Sequence, residues 1–152
     1  MKIRILLTVI ILAIINSCYH SNKNTEQNKQ TRLFAGYLKN NFGTEIPESK
    51  HSYLVIPVGN DCPLCINTLL DIIKNNRTND SITIIVADNA NIVTKHYSWL
   101  GEKKNILIDK RSEITRYEFG AYGITLVQTN RQKTDTVIHI KPENYSGIFK
   151  NH

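Results

Sequence analysis

The chain has 152 residues, 19 of them lysine or arginine and 13 aspartate or glutamate, for a net charge of +6. The cations are dispersed, with no run of five or six, which speaks against a nucleic-acid partner. The length suits one domain, and no internal repeat divides it.

The chain opens on Met1-Lys2-Ile3-Arg4, and an apolar stretch runs from Ile5 to Ile15, relieved only by Thr8 and Ala13. A spanning helix needs about 20 apolar residues. The shorter stretch, behind two cations, is expected to be a secretory signal covering residues 1–17. Ile15-Asn16-Ser17-Cys18 resembles the lipobox of bacterial lipoproteins: an aliphatic residue, two tolerant positions with a small one last, then cysteine. The resemblance implies cleavage before Cys18 and its lipidation by a diacylglycerol thioether and an amide-linked acyl chain. Each buried CH₂ contributes about 0.8 kcal/mol, so three chains hold a membrane firmly where one holds weakly. Tyr19 stands where an aspartate commonly retains lipoproteins in the inner membrane. The resemblance therefore implies attachment to the outer membrane, facing the periplasm. Cleavage would leave 135 residues and a net charge of +4, since Lys2 and Arg4 are the only charges removed.

Residues 18–30 read as the lipidated cysteine and a flexible tether, because Tyr19 to Gln30 contain almost nothing to bury. The folded domain is expected over 31–152. Leu33, Phe34, Tyr37 and Leu38 recur at helical spacing from its start. Tyr53 to Val58 is a continuous apolar run, expected of a strand covered on both faces, with Pro57 near its end where a lost ladder bond costs least. A helix follows from Pro63 to Asn76, with Ile66, Leu69, Leu70 and Ile73 on one face. Ile82 to Val86 predicts a second buried strand, residues 91–100 a short helix carrying Trp99, and Asn105 to Ile108 a third strand. Ser112 to Phe119 reads as a helix with Ser112 as its cap and Gly120 at its end. Ile124–Thr129 and Thr136–Ile140 are expected to pair as a hairpin around Asn130-Arg131-Gln132-Lys133. Alternating strands and helices with a late hairpin predict an α/β fold: a central mixed sheet flanked by helices and ending in antiparallel strands.

With Cys18 lipidated, two cysteines remain, in Cys62-Pro63-Leu64-Cys65. A CxxC between a buried strand and an amphipathic helix is a redox signature. Asn60 or Asp61 is the natural cap, and Pro63 suits the first turn, where its missing N–H has no intrahelical role. Cys62 then lies at the positive end of the helix, where a thiolate is stabilised and the thiol pKa falls. Cys65, one turn later, is placed to close a disulfide with it.

From about residue 50 to 141, the order strand, CxxC, helix, strand, helix, short strand, helix, hairpin resembles the thioredoxin-like superfamily. The stretches Asn105–Asp109, Tyr117–Phe119, Gly123–Val127 and Asn130–Lys133 are similar to those of membrane-anchored members in bacterial envelopes. The resemblance implies that Cys62 attacks, Cys65 resolves, and Pro63, Leu64, Ile124 and Thr125 border a groove for the substrate. Three positions and the C-terminal stretch depart from that pattern. Ile124 replaces the family's cis-proline, and Ile56 replaces a buried proton-shuttling carboxylate. Asp61 replaces an aromatic residue, its charge opposing the helix dipole at Cys62. The stretch from Pro142 is too short for the usual closing helix.

The expected function is a membrane-anchored, periplasm-facing thiol–disulfide oxidoreductase acting on protein thiols or disulfides of the cell envelope, without a cofactor. The departures motivate a second expectation, a non-catalytic lipoprotein that binds a partner in an envelope assembly. A purely structural disulfide across so small a loop gives little chain-entropy stabilisation. Metal handling lacks ligands, because His20, His51, His96, His139 and His152 are neither adjacent to the CxxC nor paired at ligand spacing. Tyr97, Trp99, Tyr117 and Tyr122 read more readily as packing than as groove residues, and Asp88 and Asp109 as turn formers.

Overall fold

The computed structural model describes residues 25–59, 62–75, 80–88, 91–117 and 123–149. The expected signal segment, Cys18, Asn60, Asp61, Phe119, Gly120 and Tyr122 lie outside the described residues.

Helix α1 covers residues 25–42, so residues 25–30 of the expected tether are helical. Polar side chains account for the longer helix. Gln27 Nε2 donates to the carbonyl of Thr134 at 2.9 Å, and Thr31 Oγ1 accepts the Thr134 N–H at 2.9 Å. Apolar periodicity carries no trace of such a tie. Further along, Phe34, Tyr37 and Leu38 are fully buried, as their spacing requires. Gly43 ends the helix at φ +66°, its N–H bonded to the Lys39 carbonyl at 3.0 Å. A residue without Cβ adopts that left-handed conformation at little cost.

Strand β1 spans His51–Pro57, helix α2 Pro63–Asn75 and strand β2 Ile82–Ala87. A short helix α3, Ile92–His96, and a 3₁₀ turn, Ser98–Glu102, follow. Strand β3 is Ile106–Asp109, one residue later than expected. Asn105 instead sends its side-chain Nδ2 to the Ile82 carbonyl at 3.1 Å. Among the described residues of the helix expected over 112–119, Glu113–Arg116 form one 3₁₀ turn, and Ser112 makes no side-chain cap at φ 49°. The Asp109 carboxylate takes that role by accepting the Ile114 N–H at 3.0 Å, which ties the turn to the strand end. Strands β4, Thr125–Asn130, and β5, Lys133–His139, form the hairpin, its turn reduced to Arg131 and Gln132. A 3₁₀ turn, Pro142–Asn144, leads into the single-turn helix α4, Tyr145–Ile148, in place of a long closing helix.

The five strands lie in the order β3-β2-β1-β4-β5. β1, β2 and β3 are parallel, β4 runs antiparallel to β1, and β5 antiparallel to β4. This is the mixed α/β sheet ending in an antiparallel hairpin that the thioredoxin-like resemblance implies. Two cores flank it. Leu54 and Ile56 of β1 face α2, α3 and α4 with Ile66, Leu69, Leu70, Ile73, Val93 and Tyr145. Tyr53 and Val55 face α1 with Phe34, Tyr37, Leu38 and Ile114. Burial on both faces explains why β1 reads as an unbroken apolar run.

Candidate active site

α2 buries Ile66, Leu69, Leu70 and Ile73 against the sheet, which fixes its axis and leaves its first turn at the carboxyl ends of β1 and β2. In α/β sheets that edge is the usual place for a ligand. The approach is made by Val58, whose N–H reaches the Ala87 carbonyl at 2.8 Å, and by Gly59 at φ 99°, a conformation open to glycine.

Cys62 immediately precedes α2. Its carbonyl accepts the Ile66 N–H at 3.1 Å, the first bond of the helix, and its Sγ accepts the Cys65 N–H at 3.3 Å. Those two bonds make Cys62 itself the N-cap, not Asn60 or Asp61 as the sequence suggests, with Pro63 at the first helical position as expected. The correction has chemical weight. A neutral thiol is a weak acceptor. A thiolate accepts the same N–H in a charge-assisted bond and meets the positive end of the dipole. The helix therefore favours the ionised form of the residue that caps it. Cys62 is exposed and Cys65 half-buried against the core. An accessible sulfur ahead of a shielded one, a single turn apart, is the order that attack and resolution require.

The expected groove residues divide. Pro63 and Leu64 are exposed beside Cys62, Leu64 at 74%. Ile124 and Thr125 are buried, at 3% and 0% exposure. Ile124 belongs to the core against which Cys65 packs. The Thr125 hydroxyl donates to the Gly123 carbonyl at 2.6 Å, leaving its oxygen to accept from His139 Nδ1 at 3.2 Å. Ile56 is fully buried and supplies no proton shuttle.

A pocket of about 740 Å³ opens on the β2 side of the CxxC, lined by Val58, Gly59, Pro63, Ile66, Asn67, Val93, His96 and Tyr97. Sequence reasoning missed it as a unit. Asn67 lies one turn beyond Pro63 on the exposed part of α2, a spacing that could have marked it. His96 and Tyr97 line it from the end of α3. Trp99 packs edge-on against Tyr97, with centroids 6.3 Å apart, while Tyr117 lies in the other core against Tyr37 at 5.4 Å. Among the described residues, no group of three or more His, Cys, Asp or Glu side chains is placed to hold a metal ion. None of their helices is long and apolar enough to cross a membrane.

No protein-family model matches the chain, and no curated protein matches it. Among solved structures it is similar to the reduced form of the N-terminal domain of PilB from N. meningitidis. The identity is 8% and the TM-score 0.41, over 70% of this chain and 83% of that one. It is also similar to a peroxiredoxin-like protein from Aquifex aeolicus, at 13% identity and a TM-score of 0.40. That match covers 62% of each chain, less than two thirds of the Aquifex protein's length. Likenesses this distant say nothing about chemistry.

Proposed function

We propose that the chain is a membrane-anchored, periplasm-facing thiol–disulfide oxidoreductase that works through Cys62 and Cys65. The observation that carries this reading is the exposed Cys62 sulfur at the N-cap of α2, accepting the backbone N–H of Cys65 at 3.3 Å. In the reducing direction, the Cys62 thiolate attacks a partner disulfide and forms a mixed disulfide, and the departing partner sulfur takes a proton. Cys65 then loses its proton and attacks the Cys62 sulfur, closing the intramolecular disulfide and releasing the second partner thiol. Two electrons and two protons pass to the partner, and the reverse sequence oxidises one. Anchoring through lipid on Cys18 rests on the lipobox resemblance of Ile15 to Cys18.

The test is a trap. Cys65→Ser removes the resolving thiol, so Cys62 is expected to accumulate as mixed disulfides with envelope proteins, seen by non-reducing electrophoresis and lost on further change of Cys62 to Ser. Absence of any adduct under both oxidising and reducing growth overturns the reading. A second reading, a non-catalytic binding lipoprotein, draws on Ile56 and Ile124, apolar and buried where the resemblance implies a carboxylate and a proline. It requires the Cys62→Ser, Cys65→Ser double variant to retain the cellular role.

A further inference from the structure

The described sheet ends on β5, and α1 seals only the start of that edge. Thr31 Oγ1 accepts the Thr134 N–H and Gln27 Nε2 donates to the Thr134 carbonyl, both at 2.9 Å. We infer that the second half of β5 pairs antiparallel with β5 of a second copy of this chain, about a two-fold axis at Ile138. The two five-stranded sheets then run on as one.

Backbone direction is the first argument. The Ile140 N–H reaches the Ile124 carbonyl at 2.8 Å. Hydrogen-bonding groups alternate in direction along an antiparallel strand. Ile138 and Thr136, paired with Leu126 and Gln128, therefore turn their N–H and C=O groups to β4, and those of Val137 and His139 point out of the sheet. Among the described residues no other element bonds to them. Lysine, acidic residues and proline are common guards of such an edge, and none occurs from Thr136 to Ile140. Ile138, in the middle of this stretch, is 42% exposed.

Charge selects the occupant and the register. Lys133, Asp135, Lys141 and Glu143 flank the open stretch and are all exposed, and none is in an ion pair among the described residues. Lys141 keeps an extended backbone at φ −84° and ψ 153°, so the strand direction persists to it. An axis at Val137 sets Lys133 against Lys141 of the other copy, and an axis at His139 sets Asp135 against Glu143. An axis at Ile138 sets Asp135 against Lys141, twice over by symmetry. The same axis faces Val137 with His139, outward backbone groups on both, and brings each Ile138 against its own copy in a closely spaced pair that bonds through neither backbone. Opposite charges that match when the strand is read against itself are what a second copy requires.

The experiment is sedimentation equilibrium of the full chain in density-matched detergent, with reductant present to exclude disulfide dimers. The expected mass is twice the 17.4 kDa of one chain. Ile138→Lys sets two cations together on the axis and is expected to give monomer with an unchanged circular dichroism spectrum. Asp135→Lys and Lys141→Asp, both at exposed positions, are each expected to raise the dissociation constant about tenfold, because the axis repeats every mispairing. The two changes combined restore opposite signs and are expected to recover the wild-type constant. That recovery is a readout that disturbed folding does not give. A wild-type monomer overturns the inference, and protection of the Val137 and His139 amides from hydrogen exchange in that monomer would assign the edge to another segment of the same chain. A dimer that neither charge change weakens, or that the combined change fails to restore, also overturns it.

Discussion

Asp109 shows how one side chain joins three parts of the molecule. It is 3% exposed, and its carboxylate accepts from Tyr37 Oη at 3.0 Å, the Arg111 N–H at 3.2 Å and the Ile114 N–H at 3.0 Å. Burial, and then the adjacent Asp109 charge, push the Tyr37 hydroxyl well above the ordinary tyrosine range. Asp109→Ala strands the Tyr37 hydroxyl and a buried N–H, and is expected to cost about 2–4 kcal/mol in urea unfolding. Adding Tyr37→Phe removes one stranded donor, so the double variant should lose less than the sum of the two single changes. His51 supplies a pH dependence. Burial lowers its pKa from 6.5, and its Nε2 lies 2.9 Å from Thr83 Oγ1. As pH falls through the ordinary histidine value, the unfolded chain binds the proton first. Stability present above that value is therefore lost as pH drops toward the lowered folded pKa. The urea midpoint should fall between about pH 7.5 and 5.5, and His51→Asn should flatten that fall.

At the scale of elements, the β4–β5 turn carries visible strain. Arg131 and Gln132 sit at φ 50° and 61°, the left-handed region that a two-residue hairpin turn demands and that an asparagine followed by a glycine fills best. The turn is held by the 44–50 segment, whose Glu48 and Pro47 carbonyls accept the Arg131 and Gln132 N–H groups at 2.9 and 3.2 Å. The paired substitutions Arg131→Asn and Gln132→Gly keep both N–H groups and relieve the strain. Together they are expected to raise stability by roughly 1 kcal/mol, read as a higher urea midpoint. The hairpin was legible as a polar gap between apolar runs. Its length was not, because the pairing of Asn130 with Lys133 depends on Pro47 and Glu48, distant in sequence. The same holds for α1, whose apolar stripe is plain while its first turn is fixed by Gln27 and Thr31 against Thr134. The CxxC was legible in full as a motif, yet the capping role of Cys62 was not. Asparagine and aspartate at positions 60 and 61 are better caps by residue type, and only the first helical hydrogen bond, from Ile66 to Cys62, identifies the position.

For the whole molecule, the sheet is covered by α1 on one face and by α2, α3 and α4 on the other, while the CxxC opens at the carboxyl edge of the parallel strands. Under the proposed anchoring, the wild-type chain partitions with membranes and incorporates radiolabelled fatty acid in a bacterial host. Cys18→Ala is expected to abolish both while leaving the thiol chemistry of Cys62 intact. Lipid label that persists in Cys18→Ala would refute that anchoring.

The sequence by itself determined the α/β class, the strand cores, the buried face of α2 and the dithiol, because each is written in local periodicity or in a short motif. Tertiary structure alone decided which residues surround that dithiol. Pro63 and Leu64 stay exposed because they begin a helix whose apolar face starts at Ile66, while Ile124 and Thr125 are drawn into the sheet by pairing and packing. His96 and Tyr97, at the end of α3, line a pocket together with Pro63 and Ile66 of α2. Periodicity tells which face of an element avoids water. It does not tell which neighbour covers that face, and the pocket is made by the neighbour.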